Sequence, residues 1–143
     1  MDSILNNNET QEYVLLLLQE HFHAHKQKTP ILHQSWTTIE PTFITEKLPR
    51  AAIYINNKKI PPATFEQTLI PHRDIIAIII ATQPPFLKPI LVVNLYNSED
   101  HSLIEQLCTI LLHNIIIEDY KVILVTRDFN PHYPLWNPIR YIN

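Results

Sequence analysis

The stretch VILVTRDFNPHYPLWN, residues Val122 to Asn137, holds two kinds of chemistry end to end. Val122 to Val125 are β-branched or leucine, a run that fits a strand covered on both faces. Directly after it come Asp128, Asn130, His132 and Trp136, spaced by prolines at Pro131 and Pro134 that forbid regular structure. A buried strand that ends in a polar, proline-stiffened loop is where a rigid sheet can hold reactive side chains.

Working outward, the same form recurs. Tyr13 to Leu18 is an apolar run that ends in Gln19-Glu20, and Ile90 to Tyr96 is another, closed by Tyr96-Asn97. Ala51 to Ile55 and Ile75 to Ala81 are further strand-like runs, and Asn56-Asn57 offers a turn after the first of them. Leu103, Ile104, Leu107, Ile110 and Leu111 recur at helical spacing behind the capping residues Ser98 to Asp100, so 99–113 reads as an amphipathic helix. Residues 1–12 are polar and read as frayed or as a helix remnant. Residues 21–49 read as irregular, and 58–73 as a proline-containing connection. The order is four strands, a helix and a strand. Such apolar strands do not suit a sheet with one face in water. They predict two packed sheets, mixed or largely antiparallel, with helix outside.

Composition narrows the function. The 143 residues fit one domain, read here as 13–143 with 1–12 as a remnant, and 45% hydrophobic against 17% charged residues is a globular balance. The net charge of −3 gives no long-range field for a polyanion. The N-terminus is not a signal peptide and no apolar run reaches membrane length, so an intracellular setting, nuclear or cytoplasmic and not secreted, is expected. Cys108 is the single cysteine and sits in an apolar segment, where a buried hydrophobe is expected. Glycine is absent, so every turn must be made by Pro, Asn, Asp or Ser. His21, His23 and His25 alternate, but three imidazoles without further support read as a solvated loop rather than a metal site. Lys58-Lys59 reads as a solvated turn, and Trp36 and Trp136 as anchors of core or loop.

The order LLLLQE, RAAIYI, DIIAIII, LVVNLYN, helix and VILVTRDFNPHYPLW resembles the endonuclease/exonuclease/phosphatase superfamily, and most the apurinic-type endonuclease domain of non-LTR retrotransposons. The resemblance runs from about Tyr13 to Trp136. It implies an α+β fold, a four-layer α/β/β/α sandwich of two packed mixed sheets, present here in part. It also implies hydrolysis of a DNA phosphodiester with Mg²⁺ or Mn²⁺, with no membrane and no obligate protein partner. Glu20 looks like the metal-binding carboxylate, a ligand type that suits a hard cation. Asp128 looks like the group that positions or deprotonates the attacking water. Asn130 looks like its orienting partner or a donor to the scissile phosphate, and Tyr96 like a tyrosine whose hydroxyl contacts that phosphate.

The sequence also departs from the pattern. Arg127 stands where the family usually has Gly before its DFN, Asn137 where a Gly follows PLW, and Tyr133 where a His follows His132. The family's first-strand Asn and its closing Asp and Asp-His pair have no counterpart, so the domain reads as truncated at both ends. Groups that act as a unit lose nearly all activity when one is removed. The expectation is therefore an endonuclease of impaired catalysis. The alternative is a non-catalytic, decayed fragment with at most weak binding of DNA or a partner.

Overall fold

The computed structural model describes residues 2–19, 23–24, 29–30, 32–43, 48–84, 87–96, 105–110 and 119–127. Among these residues there are nine strands: β1 (Leu15–Gln19), β2 (His23–Ala24), β3 (Thr29–Pro30), β4 (Trp36–Ile39), β5 (Ala51–Asn56), β6 (Phe65–Thr68), β7 (Ile75–Ile80), β8 (Ile90–Leu95) and β9 (Val122–Arg127). They form a three-stranded sheet in the order β1-β5-β4, a four-stranded sheet in the order β6-β7-β8-β9, and a small β2-β3 pair.

The central strand β5 explains how the first sheet is covered. All six of its residues are buried. Side chains alternate across a strand, so Ala51, Ile53 and Ile55 meet Ile76, Ile78 and Val92 of the other sheet. Ala52 and Tyr54 point the opposite way and pack with Leu5 and Trp36. The second sheet repeats the rule. Ile75, Ala77, Leu91 and Val93 face outward against Leu107, while their neighbours face the first sheet. Apolar residues at every position of β7 follow from this, since neither face meets water.

The two outer faces are covered by short helical pieces. Helix α1 (Asp2–Leu5) brings Leu5 to the first sheet with no surface exposed. Residues 105–110, helix α2, bring Leu107 to the second, with Ile110 partly buried beside it. The result is an α+β sandwich, with the two packed sheets that the strand pattern predicts. Only the second sheet is mixed: β8 and β9 run parallel, and every other pair in the two sheets is antiparallel. The first sheet, as described, is wholly antiparallel. No helix among the described residues is long and apolar enough to cross a membrane.

Further expectations change. The strand at 122–125 is not covered on both faces: Val122, Leu124 and Val125 are exposed, and β9 ends the second sheet among the described strands. Residues 21–49 are not irregular throughout, because β2, β3 and β4 lie there, and 58–73 contain β6. β2 and β3 are two residues each, and β4 and β6 are partly polar (WTTI, FEQT) and mostly half-buried, so no continuous apolar run marks them. Within 2–12, of the two readings given from sequence, helix is found: α1 and a 3₁₀ turn at Thr10–Glu12 lie there, Leu5 packs on the first sheet, and Gln11 Nε2 donates to Leu5 O at 2.6 Å. Cys108 is exposed rather than buried. It follows Leu107 by about 100° around the helix, which turns it out of the apolar stripe.

Candidate active-site edge

The strand registers bring one set of ends together. Gln19, the last residue of β1, pairs with Ala51, the first of β5. Ile75, the first of β7, pairs with Leu95, the last of β8, and Leu95 lies beside Arg127, the last of β9. Arg50, Asp74 and Tyr96 are the residues next to these ends. The edge is thus built from both sheets.

Asn94 ties the edge together. It is fully buried on β8 and points between the sheets. Its Nδ2 donates to Leu18 O at 3.0 Å and to Ala52 O at 2.9 Å. Its Oδ1 accepts from Gln19 Nε2 at 2.6 Å and from Thr126 Oγ1 at 2.9 Å. These bonds use both donors and both lone pairs of the carboxamide. The two backbone carbonyls can only accept, so the amide has one orientation here. One side chain therefore links β1, β5, β8 and β9.

A second group sits at Tyr96, just past β8. The Tyr96 N–H donates to Asp74 O at 2.9 Å. The Arg50 guanidinium lies over the Tyr96 ring, 4.1 Å from its centroid. Arg50 is held in turn by the Asp74 carboxylate: Nε donates to Oδ1 at 3.1 Å and Nη2 to Oδ2 at 2.6 Å. The Asp74 side chain is only 2% exposed, and Arg73 Nε adds a contact at 3.4 Å. Burying a carboxylate this far from water is costly unless it is paired, and these guanidiniums pair it. The Asp74 N–H also donates to His72 Nδ1 at 3.1 Å, which assigns that ring nitrogen as the acceptor.

Of the residues read from the sequence as a site, Tyr96 is placed on this edge, partly buried. Glu20, Asp128 and Asn130 lie outside the described residues, as do His21, His25, His132 and Trp136. Trp36 is in the core, as an anchor should be. Lys59 is not a bare cation: its Nζ donates to Glu12 O at 2.6 Å and approaches Glu12 Oε2 at 3.3 Å. Among the described residues, no three His, Cys, Asp or Glu converge in a way that would hold a metal ion. Asp74, the buried carboxylate, is committed to arginine.

Asn94, Arg50 and Asp74 were not singled out by the motif. Asn94 had a signal: it is the lone polar residue inside ILVVNL, and a buried amide in a strand must find partners. Arg50 and Asp74 open the runs RAAIYI and DIIAIII, but nothing in the sequence pairs them, because they meet only when the sheets pack.

No family model and no curated protein matches this chain. Among solved structures, its fold is similar to the endonuclease domain of TRAS1, a telomere-specific non-LTR retrotransposon. The TM-score is 0.56 at 18% identity, over 90% of this chain and 52% of that one. The chain thus spans about half the length of the domain it matches. The likeness establishes the fold, and it is the fold that the order of motifs implied.

Proposed function

We propose that this fold carries out metal-dependent hydrolysis of DNA phosphodiesters, with turnover impaired by its departures from the family pattern. The single observation that carries the reading is the Asn94 carboxamide, which fixes Gln19 and Thr126 against one atom. Glu20 is the next residue after Gln19 in the chain, Asp128 the second after Thr126, and Tyr96 the second after Asn94. A buried hub joining those strands is the scaffold that a multi-residue site requires.

In this reading Glu20 holds Mg²⁺ or Mn²⁺, which supplies positive charge against the phosphate oxygens when bound. Asp128 orients or deprotonates the attacking water, Asn130 steadies Asp128 or donates to the phosphate, and the Tyr96 hydroxyl donates to a phosphate oxygen. DNA is the substrate, and a nuclear or cytoplasmic setting goes with it. Arg127 is the departure that bears on turnover, since a long side chain replaces the glycine of the family pattern beside Asp128.

The second reading is a polypeptide that keeps the fold without catalysis. The net charge of −3 disfavours more than weak DNA binding in that case. A labelled DNA duplex incubated with the protein in Mg²⁺ or in EDTA separates the two. Slow cleavage that requires Mg²⁺ supports the nuclease. Equal, undetectable cleavage in both, from folded protein, supports the second reading.

A further inference from the structure

We propose that Arg50, fixed by Asp74, is the positioning residue for Tyr96, setting the phenol ring in the orientation from which its hydroxyl meets a phosphodiester; this deepens the nuclease reading and rests on it. Tyr96 lies one position past the end of β8, opposite Asp74 in the continued β7–β8 register. Its ring packs on the apolar core between the sheets, and contacts with Asp74 and Arg50 add to that packing. Its N–H is bonded to Asp74 O, which fixes the main chain. Its ring is covered by the Arg50 guanidinium at 4.1 Å, which restricts rotation of the side chain.

The guanidinium is itself held. Two hydrogen bonds in fork geometry tie it to a carboxylate that is 2% exposed. Arginine can make such a fork and stack on an aromatic face together, and lysine cannot. Arg73 contributes in a different way. Its contact with Asp74 leaves that buried carboxylate with a cationic partner even when Arg50 is replaced. A displacement of about 1 Å in a positioned group can cost on the order of a hundredfold in rate.

The test joins two readouts. In the first, 3-fluorotyrosine is placed at position 96, and the ¹⁹F resonance of the otherwise wild-type protein is compared with that of Arg50→Lys and Arg50→Met. A narrow line that shifts and broadens in both variants, with circular dichroism unchanged, is the expected result. An unchanged resonance would overturn the proposal. In the second, plasmid nicking is measured for Arg50→Lys, Tyr96→Phe and the double variant. Arg50→Lys is expected to lose about tenfold or more in the wild-type background and almost nothing beside Tyr96→Phe. The same loss in both backgrounds would overturn the proposal, because Arg50 would then act without Tyr96. Absence of nicking by the wild type contradicts the nuclease reading instead, and the ¹⁹F comparison still decides whether Arg50 holds the ring.

Discussion

Gln19 of β1 donates to the Asn94 carboxamide of β8 at 2.6 Å, a side-chain bond that crosses from one sheet to the other. Most of the contact between the sheets is apolar and tolerates small sliding. This bond does not, because Asn94 is also fixed by two backbone carbonyls and a threonine. The edge that carries Tyr96 thereby has a defined width.

Replacing Asn94 with Leu is expected to destabilise the fold by roughly 3 kcal/mol or more. It strips hydrogen bonds from Leu18 O and Ala52 O and from two side chains, and each buried group left unpaired costs about 1–3 kcal/mol. Urea denaturation gives the difference directly.

Asn94→Asp is expected to be worse at neutral pH than at acid pH. An ionised carboxylate at this position would face two carbonyl oxygens in a dry site, so the folded state raises the carboxyl pKa above its unfolded value of about 3.9. The variant's stability should therefore be highest below pH ~3.9, relative to wild type, and fall as pH rises through the raised value. Denaturation midpoints of both proteins across that range provide the check.

Leu5→Ala is expected to cost about 2–5 kcal/mol, the range for emptying a buried leucine site. Leu5 is fully buried against Tyr54 and Trp36 although it sits in a short polar segment. A thermal melt indistinguishable from wild type would mean that α1 does not cover the first sheet.

Tyr120 provides a test at high pH. Burial, then the charges of Asp119 and Glu66, push its phenol above the ordinary value of 10.0. A raised folded pKa contributes stability below the unfolded value and loses it as pH climbs through the folded one. Tyr120→Phe should therefore gain stability relative to wild type between pH 9 and pH 11, measured as the difference in urea midpoint.

The long apolar strands were legible from the sequence. β5, β7 and β8 are buried on both faces, so their residues form unbroken runs, and the observed bounds fall within a residue or two of the runs. The shorter strands were not. β4 and β6 lie at sheet edges, carry Thr, Glu and Gln, and draw their stability from neighbours rather than from their own apolarity. Cys108 misled for a related reason: an apolar neighbourhood in sequence says little about which side of a helix a residue takes. At the candidate site, Tyr96 was legible from its place after a strand. The Arg50–Asp74 pair was not, since 24 positions separate the two residues and only the packing of the sheets joins them.

The most direct test of the account compares nicking of supercoiled plasmid by the purified protein and by Asp128→Ala, both in Mg²⁺. The account predicts slow nicking by the wild type that disappears in the variant while circular dichroism and melting stay the same. Nicking that persists at the same rate in Asp128→Ala, or none from a folded wild type, would contradict it.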